Sequence, residues 1–311
     1  MTQDNFLAYT RLVTSLMATK TVQQVELDTS LNRNYLYAIK RGDFENIKKN
    51  HLDLLDAYSA KHADENTDGW QVALTTNLSI ASGTLKKAQT ERLCLALTGT
   101  TGFGKTEACK LFRRKNAGVV YIHCNTEMTK TGFLDGIAAD LSIGYGQRGY
   151  SVEARIKAII RNLMKVDKPL LIIDDAGKLR DSAFRMFQIL FDESAGRIGF
   201  VLTGVPEFRK KVFKQADKGV FCYKEIARRI GWVELSAIFV KDVAAICHKN
   251  GIMDESAISY LCDNIGDYDT LRRTIKAAQS AATKQKTDVT RALLSGLNGS
   301  ITNYRVSYVQ A

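Results

Sequence analysis

The 311 residues of this chain are enough to bury a sizeable hydrophobic core, and this length favours two or three domains. An apolar content of 45% is typical of a globular protein, no run reaches the roughly 20 apolar residues that a membrane span requires, and the N-terminus lacks a signal-peptide pattern. The formal net charge of +11 favours a polyanionic partner.

The six cysteines include no C-x-x-C pair, and the chain contains only four histidines. These counts argue against a zinc site and against a disulfide framework. We therefore expect reduced, mostly buried thiols in a protein of the cytoplasm.

The positive charge is concentrated in two segments, residues 86–115 and 209–229. Each segment carries eight Lys or Arg side chains against two acidic ones. A single basic run is usually a solvated helix face, but two runs within one domain favour a nucleic-acid partner.

Residues 1–65 are predicted to form a helical domain. Their apolar residues keep helical spacing across a break at "DTS", where Thr21 and Asn32 are typical N-caps and Gly42 is a typical helix end. Two short helices joined by a tight turn predict a helix-turn-helix that binds DNA. The candidate contacts on its second helix are Arg33, Tyr35 and Lys40, together with Asn32 and Asn34. The alternative is a small helical bundle used for protein contacts.

The polar segment 61–69 is a predicted linker, and beyond it the pattern changes. Four short apolar runs follow, RLCLALTG, GVVYIHC, PLLIIDD and IGFVLTG, each succeeded by a polar turn and a longer helix-like stretch. This alternation predicts an α/β core over residues 66–235, with a parallel sheet covered by helices on both faces. From residue 236 the spacing is only helical, so residues 236–311 are a predicted C-terminal helical domain.

The first of these runs leads into a glycine-rich loop that matches G-x-x-x-x-G-K-[ST]. Backbone N–H groups of such a loop point at phosphate oxygens, and the following helix offers its positive N-terminus. Lys105 is then expected to reach the β- and γ-phosphates, while the Thr106 hydroxyl ligates Mg²⁺. The predicted nucleotide-binding residues are Gly99, Thr100, Thr101, Gly102, Phe103, Gly104, Lys105, Thr106 and Glu107. The chain lacks the [NT]-K-x-D pattern by which GTPases specify their base, so we predict ATP as the nucleotide.

Another apolar run ends in two adjacent aspartates, in LLIIDDAGKL. An Asp at the end of a strand near a phosphate loop helps to hold Mg²⁺, and Asp174 is predicted to have this role. Asp175 is then predicted to orient or polarise the attacking water. The alternative for Asp175 is a supporting or capping carboxylate.

Together these motifs resemble those of the AAA+ ATPases that assist DNA transposition, the MuB-like family of bacteriophage Mu, with the related TnsC regulators of Tn7-like elements. The likeness is carried by GTTGFGKTEACKLFRRK, VVYIHC, LLIIDDAGKL and IGFVLTGVPEF, and the layout with an N-terminal helix-turn-helix and a C-terminal helical lid agrees with it. The resemblance implies an ATP- and Mg²⁺-dependent ATPase that oligomerises as a ring or filament on double-stranded DNA. It also implies recruitment and stimulation of a DDE transposase.

Two departures from the family pattern bear on hydrolysis. The family usually has glutamate where this chain has Asp175, and the shorter side chain implies slow turnover. The family's sensor strand usually ends in a polar side chain, but Val205 follows Gly204 here, so this role passes to Thr203 or is lost.

The resemblance also implies roles for three arginines. ARRIGWVEL resembles the segment that carries an arginine finger acting on a neighbouring subunit, with Arg229 as the first candidate and Arg228 as the second. DTLRR resembles the lid segment that places an arginine near the γ-phosphate, which is Arg272 here. The alternative for each is an exposed or helix-capping cation.

In the family, DNA is held by loops that match TEMTKTG and GYGQRGYS of this chain. The implied contacts are Lys130 and Arg148, with Thr129, Thr131, Gln147 and Ser151 as weaker phosphate donors. Contacts of this kind bind the DNA backbone and give little sequence preference.

Two other functions share parts of this pattern. A helicase loader or replication initiator would have the same ATPase core and act on replication proteins. A nucleotide-gated regulator would use the helix-turn-helix for DNA binding, with ATP only as a switch.

Overall fold

The computed structural model describes residues 9–10, 12–14, 16–17, 21–62, 69–141, 143 and 151–297. In its N-terminal part, three helices pack around a small apolar cluster. They are α1 (Val22–Thr29), α2 (Arg33–Lys40) and α3 (Lys49–His62). Thr21 and Asn32 cap α1 and α2 as predicted, because each side chain accepts a hydrogen bond from a backbone N–H of the first turn. DNA binding by α1 and α2 stays a prediction.

Five parallel strands form the central sheet, in the spatial order β2–β3–β4–β1–β5. They are β1 (Cys94–Thr98), β2 (Val119–His123), β3 (Leu170–Asp174), β4 (Gly199–Gly204) and β5 (Gly231–Glu234). β3 and β4 are buried along their whole length, as expected for apolar runs in a sheet that is covered on both faces. The four predicted strands are confirmed, and β5 is an edge strand that the sequence analysis did not assign.

Helices cover both faces of this sheet. On one face lie α4 (Thr76–Glu91) and α5 (Lys105–Lys115). On the other face lie α6 (Lys130–Asp140), α7 (Val152–Leu163), α8 (Asp181–Glu193), α9 (Pro206–Asp217) and α10 (Phe221–Ala227). The predicted α/β fold class is therefore confirmed.

The described residues of the C-terminal part, up to residue 297, form four helices, as predicted for this part of the chain. They are α11 (Val240–Lys249), α12 (Glu255–Asn264), α13 (Tyr268–Gln285) and α14 (Arg291–Leu297). Ala73 and Trp70, which precede α4, pack into the apolar core of these helices. The Asn250 side chain also exchanges two hydrogen bonds with the backbone of Gln71, at 2.9 and 3.0 Å. The domain boundaries at residues 65 and 235 stay predictions. None of the helices in the described ranges is long and apolar enough to cross a membrane.

Candidate nucleotide-binding site

The glycine-rich loop lies between the carboxyl end of β1 and the N-terminus of α5. Gly102 and Gly104 both have a φ of +83°, which is in the left-handed region that favours glycine. A Cβ atom on Gly102 would also lie 2.6 Å from the carboxylate of Asp267, so no larger residue fits there. The loop thus brings its backbone to the start of a helix of 11 residues, a suitable place for phosphate groups.

Lys105 is the first residue of α5 and its side chain is buried. Its ammonium group donates hydrogen bonds to the carbonyl oxygens of Gly99, at 2.6 Å, and Thr100, at 2.9 Å. Burial lowers the pKa of Lys105, while the negative charges of Asp175 and Asp174 act in the opposite direction. The ammonium group therefore lies at the loop and close to both aspartates.

Asp174 is fully buried at the end of β3 and accepts hydrogen bonds from four side chains. Its Oδ2 atom accepts hydrogen bonds from the hydroxyls of Thr106, at 2.9 Å, and Tyr121, at 2.8 Å. The same oxygen lies 3.1 Å from Nδ1 of His123. The other oxygen accepts a hydrogen bond from the hydroxyl of Thr203. Burial raises the pKa of Asp174, but these hydrogen bonds outweigh burial and hold the pKa below its usual value. Tyr121 and His123 are site residues that the sequence analysis did not identify.

The oxygen donors near the loop fit a magnesium ion, which prefers hard oxygen ligands. The Thr106 hydroxyl donates its proton to Asp174, so its oxygen lone pairs are available to a metal. Three of the four donors to Asp174 lie on one carboxylate oxygen, and the other oxygen accepts only the bond from Thr203, so it keeps a lone-pair direction for a metal. Thr106 and Asp174 both present oxygen atoms that fit the ion, and their role as its ligands stays a prediction.

Asp175 follows β3 in an unusual backbone conformation, with φ of 56° and ψ of 38°. Its N–H group donates a 3.0 Å hydrogen bond to the hydroxyl of Thr203, and its carboxylate accepts a 2.6 Å hydrogen bond from Lys178. The hydroxyl of Thr203 thus bridges the carboxylate of Asp174 and the N–H group of Asp175, and Val205 lines the cleft. Thr203 supports the two aspartates, and its sensor role stays a prediction.

A cleft with a volume of about 680 Å³ joins these groups to the C-terminal helices. Its walls come from the segment before α4, the glycine-rich loop, the turn after β3, the start of α9 and the start of α13. Thr101, Phe103 and Glu107 line it as expected, while Thr100 contributes the carbonyl oxygen that Lys105 meets. These walls combine apolar surface with polar groups, as ligand pockets usually do.

Arg272 lies on α13 and lines this cleft together with Trp70. Its guanidinium group is 5.6 Å from the centre of the Trp70 ring, a cation–π distance. Trp70, Val72 and Tyr268 are lining residues that the sequence analysis did not identify. They belong to segments more than 190 residues apart in the chain, so no local pattern signals their proximity.

The two candidate arginine fingers lie outside the cleft, just after α10. Arg229 forms ion pairs with Asp192, at 2.7 Å, and Glu225, at 3.1 Å, and lies over the ring of Phe191. Arg228 is exposed and, within the described ranges, forms no ion pair. Neither arginine is among the residues that line the cleft of its own chain.

The candidate DNA contacts fall into two groups, one near the starts of α6 and α7 and one in the N-terminal helices. Lys130 is exposed at the start of α6, where the Thr129 hydroxyl caps the helix by accepting from the Gly132 N–H and lies 3.2 Å from the Thr131 hydroxyl. Arg148 and Gln147 lie outside the described residues, and the Ser151 side chain caps α7.

In the N-terminal helices, the predicted DNA contacts differ in exposure. Lys40 is exposed at the end of α2. Arg33 is also exposed but approaches Glu26 to 3.7 Å. The Tyr35 ring packs on His51 of α3 with 4.0 Å between ring centres, so Tyr35 contributes to helix packing.

Comparison with known proteins agrees with this arrangement. Residues 88–212 match the sequence model of the AAA domain. The fold is an AAA+ P-loop fold. The Aeropyrum pernix ORC2 protein in its ADPNP–ADP complexes is similar, with a TM-score of 0.61, 15% identity, and coverage of 79% of this chain and 72% of that chain. Cdc6p from Pyrobaculum aerophilum has a TM-score of 0.55 and 17% identity over 74% of this chain and 67% of its own. No curated protein sequence matches significantly.

Proposed function

We propose that this chain binds ATP with Mg²⁺ and hydrolyses it slowly. The observation that carries the proposal is the 2.9 Å hydrogen bond from Thr106 to Asp174, beside the buried ammonium group of Lys105. It joins the glycine-rich loop to the acidic end of β3, and this is the arrangement that phosphoryl transfer requires. The AAA+ fold and the cleft of about 680 Å³ support the same conclusion.

In this mechanism the loop amides and Lys105 bind the phosphate oxygens. Bound magnesium supplies further neutralisation of the phosphate charge, and Thr106 and Asp174 are the residues that would hold it. Asp174 keeps the Thr106 hydroxyl in place. Asp175 orients the attacking water, and because Asp is shorter than Glu by about 1.5 Å, the water is held less well.

We further propose that the ATPase acts on DNA as an oligomer. The net charge of +11 and the exposed Lys130 favour contacts with the phosphate backbone. Among DNA-acting ATPases, a replication initiator or helicase loader is favoured by the fold shared with the ORC2 protein and Cdc6p. At 15% and 17% identity, this likeness supports the fold and leaves the role to experiment.

The second candidate role is assistance to DNA transposition. It is favoured by the resemblance of the glycine-rich loop, its helix and the two adjacent aspartates to those of MuB-like ATPases. In this role the partner is a DDE transposase, and the ATP-bound oligomer marks the target DNA.

The experiment that tests the proposed activity is titration of MgATP and MgADP into the purified chain, followed by a phosphate-release assay with and without duplex DNA. We expect binding of both nucleotides and slow hydrolysis that duplex DNA changes. Absence of nucleotide binding would refute the proposal. The two roles are separated by adding either a replicative helicase with forked DNA or a DDE transposase with its donor ends. Stimulated helicase loading supports an initiator or loader, and stimulated strand transfer supports a transposition ATPase.

A further inference from the structure

The turn that follows β3 carries a lysine into the nucleotide cleft. Lys178 is the last residue of a 3₁₀ turn (Ala176–Lys178), and both Lys178 and Asp175 line the cleft. The ammonium group of Lys178 lies 2.6 Å from a carboxylate oxygen of Asp175. No other charged side chain in the described ranges forms an ion pair with Asp175.

The backbone of this turn is held in place from α9. Lys211 donates hydrogen bonds to the carbonyl oxygens of Gly177, at 3.1 Å, and Leu179, at 2.7 Å. A Cβ atom on Gly177 would lie 3.1 Å from Cβ of Phe208, so the helix and the turn are in close contact. The side chain of Lys178 therefore starts from a fixed backbone position.

The backbone of Asp175 is held independently of Lys178. Its N–H group is bonded to the buried hydroxyl of Thr203 at 3.0 Å, and this bond fixes the backbone at the end of β3. The ammonium group of Lys178 contacts the carboxylate, on one of its two oxygens. This contact takes up a lone-pair direction that a water molecule would use, because a charge-assisted hydrogen bond is stronger than a bond to neutral water.

We propose that Lys178 is a positioning residue that restrains hydrolysis by competing with the attacking water for the carboxylate of Asp175. This inference rests on the proposed ATPase function and adds a reason for slow turnover that is independent of the short Asp side chain. The Lys178 and Asp175 side chains are 48% and 25% exposed. An ion pair this exposed is weak, so its removal raises kcat by only about three- to fivefold.

The test is the Lys178→Met variant, in which the side chain keeps much of its length and loses its charge. We expect a kcat about three- to fivefold above that of the wild type. The dissociation constant for MgATP should stay within about twofold, because the effect is on the chemical step. Lys178→Arg keeps the cation and should restore slow hydrolysis. If Lys178 had a purely structural role, Lys178→Met would lower activity and would not raise kcat at an unchanged dissociation constant for MgATP.

Two further variants test the pathway of the effect. The double variant with Lys178→Met and Asp175→Asn should hydrolyse ATP no faster than Asp175→Asn alone, because Lys178 acts through Asp175. Lys157→Met is the matched control, since it removes a 2.5 Å ion pair with Glu153 on the exposed surface of α7. We expect wild-type kcat from this control.

A kcat in Lys178→Met that equals or falls below the wild-type value would overturn the restraint. Absence of hydrolysis in both the wild type and Lys178→Met would also overturn it. In that case, MgATP binding that is present in the wild type and lost in Lys105→Ala would still support the nucleotide site, so the two failures are distinguishable.

Discussion

The backbone N–H group of Tyr268 donates a 2.9 Å hydrogen bond to the carbonyl oxygen of Gly102, which ties the start of α13 to the glycine-rich loop. The hydroxyl of the same tyrosine donates a 2.9 Å hydrogen bond to the carboxylate of Asp242, which is buried in α11. That carboxylate also accepts from the backbone N–H and the hydroxyl of Thr76, at 2.9 and 3.0 Å. One tyrosine thus links the glycine-rich loop to the C-terminal helices and to α4.

We expect Tyr268→Phe to lower the free energy of unfolding by about 1–3 kcal/mol, because it removes a donor from a buried carboxylate. MgATP affinity should also fall, since the start of α13, whose backbone bonds to Gly102, is then less firmly held against α11. Urea unfolding and isothermal titration measure the two effects. Tyr37→Phe is the control, because Tyr37 is 42% exposed on α2, and it should change neither quantity. An unchanged unfolding free energy in Tyr268→Phe would show that the hydroxyl bond does not stabilise the fold.

Lys105→Ala tests the nucleotide site itself. It removes the buried ammonium group that meets the carbonyl oxygens of Gly99 and Thr100. We expect ATP affinity to fall at least about tenfold, because hydrogen bonds to charged groups are the stronger ones. Lys115→Ala, at the exposed end of the same helix, should bind ATP normally. Equal affinities in the wild type and Lys105→Ala, measured by titration calorimetry, would contradict the site.

Asp175→Asn separates binding from hydrolysis. The amide is nearly isosteric with the carboxylate but cannot act as a general base, so we expect hydrolysis to fall on the order of 100-fold or more. ATP affinity should remain. Single-turnover phosphate release measures the rate, and Asp167→Asn at an exposed position is the control. A variant as fast as the wild type would make Asp175 a supporting carboxylate only.

Tyr121→Phe tests whether the hydrogen bond from the Tyr121 hydroxyl to Asp174 contributes to the metal site. Burial, together with the nearby Asp174 carboxylate, raises the pKa of Tyr121, so its hydroxyl stays protonated and remains a donor. Without it, Asp174 keeps three donors and its carboxylate is less firmly oriented, so we expect a higher Mg²⁺ concentration to be required for half-maximal ATP binding. ATP binding without Mg²⁺ should be unaffected. If both titrations match the wild type, the tyrosine does not contribute to the metal site.

The meeting of Thr106 and Asp174 could be predicted, because carboxyl ends of parallel strands share one edge of a sheet. The positions of Tyr121 and His123 could not. Their side chains reach Asp174 because β2 pairs with β3 in a register that sets His123 opposite Asp174. Sequence spacing predicts two strands but not which of their residues face each other.

Other parts of the site depend on long-range packing. The pairing of Gln71 with Asn250 joins residues 179 positions apart, and it brings the segment with Trp70 to the cleft. β5 has only four residues, with an apolar pattern too short to be recognised as a strand. The ion pair of Arg229 with Asp192 is equally invisible in the sequence, since α8 and the end of α10 meet only in the fold.

The last prediction concerns assembly on DNA. If Arg229 contacts ATP of a neighbouring subunit, it must leave Asp192 and Glu225, but exposed pairs of this kind contribute only about 0.2–1 kcal/mol each. A charge-assisted contact with the γ-phosphate is stronger, so ATP should promote assembly and ADP should not.

We expect Arg229→Ala to keep the ATP affinity of the monomer and to lose both ATP-dependent assembly on duplex DNA and hydrolysis, while Arg228→Ala has the smaller effect. Asp192→Asn is the decisive control, because it removes one of the two ion pairs of Arg229 and keeps the arginine. It should assemble at least as well as the wild type, whereas a structural role of the ion pair would make it resemble Arg229→Ala. Sedimentation velocity with duplex DNA compares ATP, ADP and no nucleotide, and identical particle sizes in all three would leave a monomeric switch as the better account.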